Sequence, residues 1–286
     1  MTPANAPLQQ SRLLSDALKL LGRDAVRLSL PHGEGFALRR RPFPALMSRG
    51  PVWLGRPDMA QRCKSFREAA RQGVRLINAE CPSDTPALKS AGFRQILTPA
   101  HIAELDLTQT LSHLRAGMQG KWRNRLTAAE ASLPSACKLV HRPFDPTSDT
   151  WLLTQEAEQQ KQRRYRALPP ALVLLMSQTS PKAVRLFTLE AQASPRAAML
   201  FLVHGRAASY HIGWSGAEGR RLGAHNLLLW HAIKALKADG IENLELGTLD
   251  TETAPSLTRF KLGSGAQTRS LGGTWLRLWP SLRTPR

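Results

Sequence analysis

Tyr210 and His211 stand side by side in a strand-like run, Tyr210-His211-Ile212-Gly213-Trp214, so their side chains face opposite sides and only one can enter a cleft. Either would bring acid–base chemistry: Tyr210 as a proton donor to a leaving group, His211 as a base near neutral pH. A polar stretch follows, and Arg220-Arg221-Leu222-Gly223-Ala224-His225 leads out of it into an apolar run. Free amides at a helix N-terminus can bind anions. Further on, Asp250 and Glu252 follow a strand end, and Arg259-Phe260-Lys261-Leu262-Gly263-Ser264-Gly265 closes the stretch. His225 and His231 lie six apart and do not suggest a metal pair. Cys63, Cys81 and Cys137 are dispersed without CxxC spacing, and no HExxH, Walker or Ser–His–Asp pattern occurs. No metal is expected.

The elements that must position these groups are legible from periodicity. Residues 209–265 read as strand, polar loop (215–224), helix (about 225–239, stopped by Gly240), strand (241–247) and short helix. Two strand ends and a helix N-terminus then converge on one cleft. Upstream, 11–21 is a helix with Leu13, Leu14, Ala17, Leu18 and Leu21 at helical spacing. Strands are expected at 25–30, 35–40, 51–54, 74–79 and 93–97, with helices at 58–71, where Asp58 can cap, and 85–91. Leu111, Leu114, Met118, Trp122, Leu126 and Ala129 predict one long helix over 107–132, which Pro134 ends. After it come a strand (138–142), helices (149–164 and 171–178), three strands (183–190, 197–204, 207–214) and a last strand, 269–279. His204-Gly205-Arg206 is a tight hairpin turn.

Composition narrows the class. With 286 residues and 42% hydrophobic content the chain is globular, and no apolar run reaches the length of a membrane span. The polar stretch Met1–Gln10 lacks the order of a secretory signal, and the cysteine usage suits a reducing, cytoplasmic setting. The formal charge of +19 attracts polyanions such as nucleic acid, anionic membrane or phosphorylated cofactors, or reflects arginine used as a solvated surface residue. Cations cluster in Lys121-Trp122-Arg123-Asn124-Arg125 and in Lys161-Gln162-Arg163-Arg164-Tyr165-Arg166, with Arg39-Arg40-Arg41 a solvated strand end.

The order β, α, α, β, β, β, α, β, α, β in the second half resembles the Gcn5-related N-acetyltransferase (GNAT) superfamily. A shorter copy in the first half, joined to it by a helix, resembles the FemAB-like branch, also called BioF2-like. The local sequence that carries this likeness is Gly50-Pro51-Val52-Trp53, 87–93, Leu105-Asp106-Leu107, the helix around Lys121-Trp122-Arg123-Asn124, 227–233, and above all Arg259-Phe260-Lys261-Leu262-Gly263. The resemblance implies an α/β fold with a mixed sheet: a degenerate N-terminal GNAT-like unit (11–106), a linking helix (107–134) and a C-terminal acyltransferase unit (135–280). It implies acyl transfer to a small-molecule or peptide amine, from acyl-CoA or aminoacyl-tRNA as co-substrate and with no permanently bound cofactor. Lys261 would stabilise the oxyanion, aided by the Phe260 amide, and Arg259 would touch substrate. Asp250 or Glu252 would hold the amine. In the loop, Arg220-x-x-Gly223 matches the acetyl-CoA pattern of the superfamily, which makes Arg220, Arg221, Gly223, Ala224 and His225 candidates to bind its pyrophosphate, but His225 departs from its final Gly or Ala. A non-catalytic basic module holding RNA or an anionic membrane surface is the alternative.

Overall fold

The computed structural model describes residues 6–40 and 42–278. Met1–Asn5 of the N-terminal stretch, Arg41 of the basic triplet, Trp279 at the end of the expected last strand and Pro280 at the end of the expected C-terminal unit lie outside the described residues. In chain order the elements begin with α1 (Arg12–Leu20), β1 (Asp24–Leu30), β2 (Gly33–Arg40), β3 (Phe43–Ser48), β4 (Val52–Trp53), α2 (Met59–Arg71) and β5 (Val74–Asn78). Then come α3 (Thr85–Ser90), β6 (Arg94–Leu97), β7 (His101–Asp106), α4 (Leu111–Ala116), α5 (Gly120–Ala131), β8 (Cys137–Pro143), α6 (Thr150–Arg163) and α7 (Pro170–Thr179). The remainder are β9 (Val184–Ala191), β10 (Ser194–His204), β11 (Ala207–Ser215), α8 (Ala217–Arg221), α9 (Ala224–Ala238), β12 (Asn243–Thr248), α10 (Pro255–Gly263), β13 (Gln267–Ser270) and β14 (Thr274–Leu276). They form two compact units. One holds Leu18–Ala100 and the described residues from Ser270; the other holds those up to Ala17 together with His101–Arg269.

The first unit is a mixed sheet in the order β1-β2-β3-β5-β14-β6, with β4 on β2. Asp58 starts α2 with a reciprocal cap: its Oδ1 accepts from Gln61 N (2.8 Å) while Gln61 Oε1 accepts from Asp58 N (2.9 Å). This brings the chain back so that β5 lies parallel to β3, over a core of Met47, Phe66, Ile77 and Trp275. Asp84 is a cost within it. Fully buried, its Oδ1 accepts from Trp53 Nε1 (3.1 Å) and Arg62 (3.0 Å), but its Oδ2 has no hydrogen-bond partner among the described residues. Burial, against the opposing pull of Arg62, pushes this carboxyl up to about 6. A folded value above the unfolded one means that protonation favours the fold. The stability is present at low pH and lost as pH rises through about 6, a swing on the order of 2–3 kcal/mol. The thermal midpoint of this unit is therefore expected to gain more on going from pH 7 to pH 5 in the wild type than in Asp84→Asn. An identical pH dependence in both would refute the assignment.

The second unit is a sheet ordered β13-β7-β12-β11-β10-β9-β8. β8 to β11 run antiparallel, with β10 and β11 joined at Gly205-Arg206, where Gly205 takes a positive φ of 71°. α9 crosses over and returns the chain so that β12 lies parallel to β11. The apolar side of α9 (Leu227, Leu228, Ile233) packs with Phe187, Met199, Phe201 and Leu244, and Trp122 and Leu126 of α5 join the same core.

The structure differs from the sequence expectation at five places. The single helix over 107–132 is two, α4 and α5, interrupted at Gly117–Gln119. The cause is tertiary: Gln119 N donates to Gly263 O (3.0 Å), and Gly117 O lies where a side chain on Gly265 would come to 3.1 Å. The polar loop over 215–224 contains the short helix α8. The last strand is divided by Leu271–Gly273 into β13 of the second sheet and β14 of the first, because a side chain at Gly272 would come to 2.5 Å from Cys81 O and Gly273 has a φ of 81°. β3, flanked and interrupted by prolines, and β7 were not anticipated.

Candidate active site

The parallel pairing of β11 with β12 runs only from Ala207↔Asn243 to Ser209↔Glu245. Beyond that level both strands bulge. On β11, Phe201 faces Tyr210 and Leu200 faces Ile212, which leaves His211 extra. On β12, Glu104 faces Glu245 and Ala103 faces Gly247, which leaves Leu246 extra. A bulge bends its strand and ends regular pairing, so the carboxyl ends of β11 and β12 part and leave an opening, the usual place for a ligand in an α/β sheet. The corresponding parallel pair of the first unit behaves otherwise. β3 and β5 shift register once, between Ala45 and Leu46, but stay paired to Ser48↔Asn78 at their carboxyl ends, Asn78 Nδ2 donates to Ser48 Oγ (3.4 Å), and Arg49 closes on Glu80 with two bonds of 2.7 and 2.9 Å. That end is sealed by its own side chains.

Lys261 reaches the opening from α10. It is 6% exposed, and its Nζ donates to Thr248 O at the end of β12 (2.7 Å). Gly247 leaves it room: a Cβ there would lie 3.6 Å from Nζ. Burial lowers the Lys261 ammonium to about 8, with Glu245 opposing. The rest of the Phe-Lys-x-Gly-Ser-Gly run holds this lysine in place. Gly263 lies against Trp122, where a Cβ would come to 2.8 Å from Cδ1. Ser264 Oγ donates to Lys261 O (2.6 Å). Gly265 takes a φ of 93° that L side chains disfavour. Thr258 Oγ1 donates to Asp250 O (2.7 Å) and tethers α10 to the end of β12. The Phe260 ring lies between Trp122 (5.9 Å) and His225 (6.1 Å).

A family model described as "Acetyltransferase (GNAT) domain" matches residues 106–261, more than half of the chain. The protein belongs to the GNAT acetyltransferase domain family. Among solved structures, FemX matches with a TM-score of 0.75 at 13% identity, over 95% of this chain and 93% of that one. The C-terminal domain of a putative lysylphosphatidylglycerol synthetase from Agrobacterium fabrum matches with a TM-score of 0.61 at 15% identity, covering 95% and 88%. L-PGS from Bacillus licheniformis gives 0.56 at 12% identity, covering 93% and 90%. At such identities the likeness is one of fold alone. No curated protein matches significantly in sequence.

Within this GNAT unit the residues expected at the site are not all brought together. The Tyr210 ring packs on Phe201 (5.7 Å), and its hydroxyl lies against Gly213, where a side chain would collide with it. Burial, and then the charge of Glu156, raise its pKa and keep the hydroxyl protonated. Burial lowers His211, the bulged residue, to about 4 and leaves it neutral at physiological pH. His225 is also held below its ordinary value by burial, and its Nε2 meets Trp214 O (3.1 Å), so the imidazole spans from α9 to the end of β11.

Two of these residues have another partner in the structure. The Phe260 amide lies inside α10, where helical geometry commits it to the carbonyl four residues back; it is not free for an oxyanion, and the ring is what the residue contributes. The Asp250 carboxylate closes its own loop, accepting from Glu252 N (2.9 Å), Thr253 N (2.7 Å) and Thr253 Oγ1. Arg259 is exposed, with a long contact to Ser256 Oγ (3.4 Å). The anion loop is also partly spent. Arg220 N, Leu222 N and Gly223 N donate to Gly216, Glu218 and Arg220 carbonyls, the Arg220 guanidinium caps Ser215 O (2.6 Å), and Arg221 is exposed. Gly223 takes a left-handed φ of 64°, and the first amides of α9, those of Ala224 and His225, are the ones a helix start leaves over.

The sequence reading missed Glu156. This α6 residue is 4% exposed; its Oε1 accepts from Tyr165 (2.8 Å) and Gln160 (3.2 Å). The one available signal was Tyr165, an aromatic residue in an arginine-rich run. Around it Lys161, Arg163, Arg164 and Arg166 are exposed, as are Lys121 and Arg125 of α5. Among the described residues no group of three or more His, Cys, Asp or Glu is placed to hold a metal, and no helix is long and apolar enough to cross a membrane.

Proposed function

We propose that the protein is an N-acyltransferase that moves an aminoacyl group from the ester of an aminoacyl-tRNA to the amine of a small molecule or peptide, with the chemistry in the β11/β12 opening. The observation that carries this reading is the buried Lys261 amine, fixed on Thr248 O at the mouth of the parallel pair β11/β12, which stays paired only as far as Ser209↔Glu245. The amine nitrogen attacks the ester carbonyl, and the charge that develops on oxygen is met by the Lys261 ammonium in a water-poor setting, where such charges count most. As the tetrahedral species collapses, the C–O bond breaks. The protonated Tyr210 hydroxyl gives its proton to the leaving oxygen and recovers one from the new amide nitrogen.

The choice of donor rests on the loop. A CoA pyrophosphate needs free amides ahead of α9, and α8 has already spent three of those in its neighbourhood, while the His225 imidazole fills the gap to β11. A tRNA 3′ end carries no pyrophosphate, and the exposed cations at the end of α6 and the start of α5 suit a polynucleotide. Such a donor puts the reaction in the cytoplasm. Acyl-CoA is the second reading, favoured by Arg220-x-x-Gly223 and the two leftover amides at Ala224 and His225. A donor screen decides: charged tRNAs should give labelled amide product with an added amine, and acetyl-CoA should give none. Product from acyl-CoA alone would sink the tRNA reading. Affinity for tRNA should also fall steeply with salt.

A further inference from the structure

Glu156 is a buried carboxylate without a cation. Buried charges are ordinarily paired, yet among the described residues no lysine or arginine lies within ion-pair distance of it. Its two partners are neutral donors, the Tyr165 hydroxyl at 2.8 Å and the Gln160 amide at 3.2 Å, both on Oε1. The charged and titratable groups around it are Arg163 on its own helix, Tyr165 beyond the helix end, and Tyr210 on β11. Arg163 acts only at a distance.

The position of Glu156 relates it to the reacting groups. α6 is fastened to the end of β11 beyond the His211 bulge, where Gln155 Oε1 accepts from Trp214 Nε1 (2.8 Å) and Gln159 Nε2 donates to Gly213 O (3.4 Å). Glu156 lies on this helix, close enough for its charge to act on Tyr210. Tyr165 is 39% exposed, so the donor now satisfying the carboxylate is carried on the outer side, just past a helix end where Arg164 takes a left-handed φ of 56°.

We propose that Glu156 is the anchor for the acceptor's ammonium group, which takes the place that the Tyr165 hydroxyl fills in the free protein. This rests on the acyl-transfer reading above and adds to it the class of acceptor: a primary amine that arrives as a cation. An ammonium offers the same N–H-to-oxygen contact as the tyrosine and brings the missing positive charge, and charged hydrogen bonds are about twice as strong as neutral ones. The contact also supplies a proton route. One proton passes from the ammonium nitrogen to the Glu156 carboxylate, leaving a neutral amine with its lone pair free to attack and a neutral carboxyl that returns the proton to solvent. Burial, which raises the pKa of this carboxyl, makes it a better acceptor for that proton.

The test is binding of n-butylamine to the full chain near pH 7.5, followed by ligand-observed NMR, with n-butanol as the uncharged control. Glu156→Gln keeps the shape and an oxygen for Tyr165, and should weaken n-butylammonium about tenfold or more. Tyr165→Phe removes only the competing hydroxyl and should tighten it. Butanol binding should be the same in all three proteins. If Glu156 merely fastens Tyr165, the two variants change binding in the same direction or not at all, and the proposal is overturned. Either variant decides alone if the other fails to fold. None of these readouts needs turnover, whereas the acyl-transfer reading fails separately, if a Lys261 variant keeps full activity.

Discussion

Lys261→Met is expected to lower turnover by about 10²–10³-fold, the range seen when one preorganised donor to a developing oxyanion is removed, while donor binding and folding persist. The buried ammonium is what makes both halves of this result distinguishable. Lys261 is 6% exposed and donates to a single carbonyl, that of Thr248. Methionine removes the desolvation cost of the buried ammonium together with its bond to Thr248 O, two effects of opposite sign, so the variant should melt close to the wild type. A lysine that served only the fold would show the reverse, a lower melting point with proportionate loss of activity. The pH profile gives a third readout. Because burial brings the ammonium down to about 8, the stabilising charge is present below that value and is lost as pH rises through it. The wild-type rate should fall on an alkaline limb near 8, a limb absent from the residual activity of Lys261→Met. Single-turnover rates with an aminoacyl donor from pH 6 to 10 check this, and a variant with undiminished rate removes Lys261 from the chemistry.

How far these residues could be read beforehand depends on where their reasons lie. The hairpins from β9 to β11 were legible as short apolar runs broken by turn residues, and α9 because its buried residues recur at helical spacing, as in Leu227, Leu228 and Ile233. Lys261 was legible through its neighbours: Gly263 and Gly265 mark places where only a glycine fits, and that pattern survives in sequence. What escaped was set by distant partners. The break between α4 and α5 answers to Gly263 and Gly265, which lie on the far side of the unit's sequence. Asp250 offers a carboxylate in the right place, and only the fold shows Thr253 and Glu252 engaging it. Glu156 sits in the run Gln155-Glu156-Ala157-Glu158-Gln159-Gln160, whose composition says solvent, and nothing in that run says that one of its acids is buried. The bulges at His211 and Leu246, which make the opening, have no residue signature at all, being produced by register against β10 and β7.

Gly263→Ala separates local propensity from packing by the sign of its effect. Gly263 is the last residue of α10 and has no left-handed backbone to protect. On propensity alone, alanine should stabilise the helix by roughly 0.5–1 kcal/mol. Against that, the added methyl would stand 2.8 Å from Trp122 Cδ1 and 3.3 Å from its Cβ and Cγ. The indole cannot simply swing aside: it is 6% exposed, and its other neighbour is the Phe260 ring at 5.9 Å. Overpacking of this kind costs about 1–3 kcal/mol, more than propensity returns, so the net expectation is destabilisation. The strain also falls on the element that carries Lys261, two residues away, so turnover should drop further than the stability loss explains. Trp122→Phe removes part of the indole and makes room, so the double variant should be less destabilised than the sum of its parts, a coupling that a double-mutant cycle by denaturant unfolding measures directly. Strict additivity, or a stabilised single variant, would show that α10 is free to shift and that Gly263 does not set the position of Lys261.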